Sequence, residues 1–353
     1  MHFEDGAIPE EYVRHIGLKR LYVLTGLVLL CALLVWSISL GAVKAPFLAV
    51  IQTVAGAAVS KRLDVIIWNI RLPQALAAMI AGAGLAVAGT AMQSILRNPL
   101  GSPFTLGISH AAAFGAAFSV MILGSGVMTS RGAVSIADPY VTTLAAFSCS
   151  LLAAGAIIVI SRMRGASPET MVLAGVALGA LFTAGTMFLQ YFADDVQLAA
   201  MVFWTFGDTA RASWSELGIL SIITVACSAY FMANAWNYNA IDAGDETAKG
   251  LGVRVDRVRI LGMLLSSLLT AAIISFLGII GFIGLVAPHM VRRVIGADHR
   301  YLLPGAFVTG ALLLLASDTA ARLILAPHVL PVSVLTAFMG APVFLYLIAR
   351  GRG

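Results

Sequence analysis

The sequence predicts an all-α membrane protein of about ten transmembrane helices, with both termini in the cytoplasm. Three observations carry this. Of 353 residues, 60% are hydrophobic and only 11% charged, with a mean hydropathy of +0.95, far from a soluble domain. The apolar runs are long and unbroken, which suits helices crossing a core about 30 Å thick and excludes a strand barrel. The cations also divide unevenly between alternate connections, as the positive-inside rule requires.

In chain order, residues 1–19 are polar and mixed in charge and form a cytoplasmic segment; residues 20–353 form a single membrane domain. The first apolar run, Leu21 to Val43, is too long for the core of a cleaved signal peptide and is taken as a span. Breaks at glycine, proline or charge place the spans near 21–43, 64–96, 104–124, 139–161, 170–192, 214–235, 257–278, 280–295, 301–323 and 333–349. An inside N-terminus puts fifteen of the 22 cations in the cytoplasm, including Arg97, Arg162, Arg164, Arg254, Arg257, Arg259, Arg292, Arg293, Arg350 and Arg352. Lys44, Lys61, Arg62, Arg71, Arg131, Arg211 and Arg322 fall outside. The net charge of +5 therefore needs no nucleic-acid partner.

One cytoplasmic stretch stands apart. From Asp242 to Arg259, within a segment spanning residues 237–259, 8 of the 39 charged residues fall in 18 positions. It is the one long segment fit to grip a soluble protein. An amphipathic helix on the lipid surface is the alternative, with the paired acids against it.

Dense small residues, as in Ala81, Gly82, Gly84, Ala86, Ala88 and Gly89 or Ala174, Gly175, Ala177, Gly179 and Ala180, predict closely packed helices. Two Gly-rich spans end in proline-broken basic turns, a pattern that marks internal repeats in some transporters. The single, widely spaced Cys31, Cys149 and Cys227 suggest neither a disulfide frame nor a thiolate metal site.

The chain has no GxxxxGK[ST], HExxH, GxSxG or CxxC, and its six histidines show no metal-ligand spacing. Catalysis and ATP hydrolysis by this chain are not expected. Asp64, Asp138, Asp194, Asp195, Asp208 and Asp318 sit at outer span ends or in outer loops, not at mid-membrane, where an ion-coupled carrier keeps its acids. An ion-coupled secondary transporter, and a receptor or scaffold without transport, are thus the weaker readings. If ions do not supply the work, a partner must.

Five ordered blocks then resemble one family. RLPQALAAMIAGAGLAVAGTAMQSILRNPLGSPFTLGIS (71–109), LAGVALG (173–179), GDETAKGLGV (244–253), GFIGLVAPHMVRRVIGADHRYLLPG (281–305) and LPVSVLTAFMGAPVFLYLI (330–348) resemble the permeases of type II ABC importers for iron siderophores, haem and cobalamin. The resemblance implies a homodimer of ten-helix subunits in the inner membrane of a prokaryote, with two ABC ATPase subunits on the cytoplasmic face and an extracytoplasmic binding protein outside. ATP and magnesium would sit on the ATPase; no cofactor or metal is implied for this chain. The substrate implied is an iron complex, with cobalamin or an oxyanion such as molybdate as the alternative.

By resemblance, Asp245, Glu246, Thr247, Ala248, Gly250, Leu251 and Gly252 form the elbow that couples to the ATPase. Carboxylates suit its first turn, and the glycines permit the bend back to the membrane. Asn98, Leu100, Pro168, Glu169 and Leu173 lie where the family places the cytoplasmic gate; Asn98 is fit to cap the next helix, and Asn98-Pro99 is equally a turn signal. Arg71 and Arg322 fall where related permeases offer arginines to the binding protein, with snorkelling as the alternative. Gln74 replaces the family's usual arginine. Met187, Phe188, Gln190 and Tyr191 are candidates for the pathway wall, by span position alone. His110, where relatives carry a small polar residue, is expected to be packed and singly bonded rather than a substrate ligand. His289 is likewise expected to be structural.

Overall fold

The computed structural model describes residues 10–41, 43, 45–57, 60–128, 134–136, 138–163, 165 and 167–349. Lys44, Arg131, Arg164, Arg350 and Arg352, and residues 1–9 of the expected N-terminal segment, lie outside these. Each of the ten expected spans contains a helix: α1 (Glu10–Ser39), α4 (Leu72–Ile95), α5 (Ile108–Ile122), α6 (Pro139–Arg162), α7 (Pro168–Phe192), α9 (Trp214–Ala233), α12 (Val255–Leu277), α13 (Ile283–Ile295), α14 (His299–Leu323) and α15 (Val332–Ala349). Shorter helices join them: α2 (Phe47–Val54), α3 (Lys61–Ile66), α8 (Asp195–Thr205), α10 (Ala235–Asp242) and α11 (Asp245–Gly250). The bundle is helical apart from a small antiparallel hairpin, β1 (Gly126–Met128) with β2 (Val134–Ile136), which the sequence reading did not foresee.

Among the described residues, seven helices are long and apolar enough to cross a membrane. Of the other three, α5 and α13 have only 15 and 13 residues, about 22 and 20 Å at 1.5 Å per residue, short of a full crossing. Their shortness has a local cause. Residues 96–107 leave α4 through Arg97 at φ 45° and re-enter helix only after Gly107 at φ 76°. Likewise α12 stops at Gly278, with φ 78°, and α13 starts after Phe282 at φ 67°. At the outer end, the five residues Ile67–Arg71 form a wide π turn between α3 and α4. Pro73 follows it at the start of α4, where its missing N–H and its ring disfavour a regular turn.

The α4 helix is the hub, with 83% of its span window buried. It packs on α9, α12, α13 and α14. Two backbone contacts explain how one helix touches so many: Gly82 lies against the Gly310 carbonyl of α14, and Gly89 against the Gly284 carbonyl of α13. Tight packing is what the small residues of α4 achieve.

Polar contacts sort the ends as the cation asymmetry predicts. At one end Ser94 meets His299 and Asn239 meets Asp298. At the other, Ser37 meets Thr319 and Arg322, and Trp214 donates to the Trp68 carbonyl. Expected cytoplasmic residues pair with cytoplasmic ones, and outer with outer.

Candidate functional site

The elbow is built from α10 and α11, with Gly244 at φ 117° before α11 and Gly252 at φ 82° after it. Both conformations lie where side chains are strained, so glycine supplies the two bends. Asp245 and Glu246 occupy the first turn of α11 and Lys249 the last, the order that suits the helix dipole. Their neighbours differ sharply. Glu246 is on the surface, with the Lys249 ammonium 2.9 Å away, and Leu251 is 70% exposed. Thr247, Gly250 and Gly252 are exposed as well.

Asp245 and Ala248 face the other way, a correction to their expected place on the coupling surface. Ala248 is fully buried. Both carboxylate oxygens of Asp245 accept from the Arg259 Nη2, Oδ1 at 2.9 Å and Oδ2 at 3.1 Å. Arg259, only 2% exposed, also donates its Nε to the Ile95 carbonyl at 3.0 Å. Arg97 stands 3.9 Å from the same carboxylate. A buried guanidinium thus ties the elbow to the last residue of α4, next to the expected gate. Sequence reasoning counted Arg259 among the cytoplasmic cations and missed this role; the one available signal was its place inside the apolar run that becomes α12.

At the gate, Asn98 does not cap α5. Its Oδ1 accepts from the Leu100 N–H at 2.9 Å, closing its own turn, while α5 begins ten residues later behind Gly107. Leu100 is 43% exposed and Leu173 71%. Pro168 opens α7, whose cap is Ser167, accepting from the Thr170 N–H; Glu169 is exposed in the first turn. The loop that carries Asn98 reaches α7 above these residues, where Leu106 and Gly107 press on the backbone of Gly175 and Gly179. His289 contacts the Pro99 carbonyl at 2.9 Å and so fastens α13 to the same loop, a partner invisible in sequence.

The outer arginines also depart from expectation. Arg71 is 7% exposed and donates to the carbonyls of Ile38 and Val43. Arg322 pairs through Nε with Asp318 at 3.0 Å and donates to Ser37 at 2.7 Å. Gln74 and Thr209 both donate to the other Asp318 oxygen. Each guanidinium is held by inward oxygen acceptors, so neither is offered to the outer surface. Asp318, 3% exposed, is the acid that holds this cluster together. Asp138, Asp194 and Asp208 are simply helix caps.

On α7, Met187, Phe188 and Tyr191 are 62%, 65% and 82% exposed, while Leu189 faces inward and Gln190 is half-buried. An open groove of about 590 Å³ runs between this helix and the start of α5, lined by Phe104, His110, Gly175, Gly179, Ala184 and Met187 among others. His110 is not singly bonded. Its Nδ1 is buried without a partner, and its ring lies 5.3 Å from that of Phe104.

The architecture and sequence can be set beside known proteins. The model of the FecCD transport family matches residues 29–350. The chain belongs to the FecCD transport family. Within it, a chain of Methanocaldococcus jannaschii that bears the description ABC transporter permease is 49% identical over 97% of this chain and 98% of its own length. The hemin transport system permease of Yersinia pestis is 39% identical, covering 92% and 94%. Among solved structures, a metal-chelate type ABC transporter in an inward-facing conformation superposes with a TM-score of 0.81 at 28% identity, covering 93% of this chain and 98% of that one. This FecCD-family chain is a multi-pass permease of a type II ABC importer.

Proposed function

We propose that the chain forms, as a homodimer, the membrane channel of an ATP-driven importer for an iron complex, either a ferric siderophore or haem. The groove beside α7 carries the reading. Its lining is largely apolar, its floor is glycine and alanine, and His110 is its one titratable side chain. Such a wall lets a bulky chelate slide past without a deep binding minimum, where fixed charges would hold it. The kinship with a permease for hemin supports the substrate class.

Work would enter at α11. ABC ATPases bind and hydrolyse ATP with magnesium on the cytoplasmic face, and the exposed side of the elbow, Glu246, Thr247, Gly250 and Leu251, forms the contact. Movement there passes through Asp245 and Arg259 to the end of α4 and on to Asn98 and Leu100, opposite Pro168, Glu169 and Leu173. An extracytoplasmic binding protein delivers substrate outside; docking on Arg322 would require that side chain to leave Asp318. The exposed residues Met187, Phe188 and Tyr191, with Gln190, form the path with the second subunit.

The test is uptake by the complete transporter in liposomes, offered a ferric hydroxamate, haem or cobalamin on its own binding protein. ATP-dependent accumulation of an iron complex is expected. Accumulation of cobalamin alone would transfer the assignment to a corrin importer of the same build.

A further inference from the structure

We propose that a groove between α1, α13 and α14 holds an acyl chain of an inner-leaflet anionic glycerophospholipid, whose phosphate sits on the Lys19 ammonium. The groove encloses about 440 Å³ and is lined by Leu18, Leu21, Tyr22 and Leu29 of α1, Val294 of α13 and Leu312 of α14. With Thr25 and Gly26, which also line it, the α1 residues recur every three or four positions and form one stripe. From Leu18 to Leu29 that stripe rises about 16 Å, roughly half of the hydrocarbon core and so the depth of one leaflet. By the cation asymmetry, its Leu18 end is cytoplasmic.

Lys19 marks that end. It is 9% exposed, its Nζ stands over the Tyr301 ring at 5.3 Å and beside Gly296, where α13 ends. Among the described residues it makes no hydrogen bond and no ion pair. The carboxylate of the adjoining turn, Asp298, is already engaged by Arg300 and Asn239. The ring and the carbonyl end of α13 offer only partial negative charge, whereas a buried ammonium calls for a full counter-charge. A lipid phosphate above an acyl groove supplies it, and basic pockets between helices on the cytoplasmic side bind anionic headgroups. The inference needs only the membrane orientation and is independent of the substrate.

Native mass spectrometry of the purified permease in detergent, equilibrated with phosphatidylglycerol or phosphatidylcholine, tests it. The wild type should retain phosphatidylglycerol about fivefold better than phosphatidylcholine. Lys19→Gln should abolish that preference and Lys19→Arg keep it. Arg20→Gln, which removes an equal charge from an exposed neighbour, should leave it unchanged. Leu29→Trp, which fills the inner end of the groove, should lower retention of both lipids. Equal retention of the two lipids by the wild type, or equal losses in the Lys19→Gln and Arg20→Gln variants, would overturn the proposal. Should Lys19→Gln fail to fold, undiminished phosphatidylglycerol retention by Leu29→Trp overturns it instead.

Discussion

At the scale of single residues, the chain hides charge where it needs rigidity. Arg259 is a buried cation that donates to the Asp245 carboxylate and to the Ile95 carbonyl. Removing the carboxylate takes a full counter-charge away from a buried guanidinium. Asp245→Ala should therefore destabilise the purified permease by about 3 kcal/mol or more, read as a lowered unfolding temperature, and Arg259→Met in the same chain should recover part of the loss. Asp298 makes a second case at the turn before α14. Burial pushes its carboxyl up, but hydrogen bonds from Arg300 and Asn239 and the Arg300 charge outweigh this and hold it at about 2. A carboxylate depressed on folding contributes stability that is complete above its unfolded value, about 3.9, and is lost as pH falls toward about 2. Thermal unfolding of Asp298→Asn should accordingly show a weaker loss between about pH 4 and pH 2 than the wild type does.

At the scale of elements, two helices have separate duties. The hub α4 works by closeness: its Gly89 backbone meets the Gly284 carbonyl of α13, and a Cβ there has no room. Gly89→Val should force α4 and α13 apart, with a cost of about 3 kcal/mol or more from overpacking, seen as poor recovery of monodisperse protein. Gly250, with open space around it, should accept alanine with little change in stability. The elbow α11 works by presentation. Among the described residues Glu246 pairs only with Lys249, so Glu246→Lys should leave stability within about 0.5 kcal/mol of wild type while uncoupling ATP hydrolysis from uptake. Normal coupling in that variant would remove the elbow from the proposed mechanism.

At the scale of the whole molecule, the acids stay at the ends of the bundle. Asp318 is paired with Arg322 and accepts from Gln74 and Thr209, and Asp138, Asp194 and Asp208 cap helices. None of these is left to carry a coupling ion through mid-membrane. Reconstituted alone, the permease should not concentrate substrate. Sustained uphill uptake driven by a proton or sodium gradient, without an ATPase, would defeat the ATP-driven account.

The helical segments and the family were legible in the chain because hydropathy and ordered motifs are local properties, summed along the sequence. The elbow's bends were legible only in part: Gly252 turns the chain as expected, whereas Gly250 stays within α11 and Gly244, not singled out in the sequence, supplies the bend before it. What the outward or inward face of each polar side chain does was not legible. Asp245 and Glu246 are neighbours in α11, yet one is clasped by a guanidinium fourteen residues away and the other stands in solvent. Arg71 and Arg322 sit at the expected outer ends, but carbonyls of the α1 end hold the first, and Ser37 with Asp318 the second. Periodicity assigns a residue to a helix and a helix to a side of the membrane. Only packing brings α1, α4, α11, α12 and α14 within hydrogen-bond distance, and a polar group removed from water must take whichever partner that packing supplies.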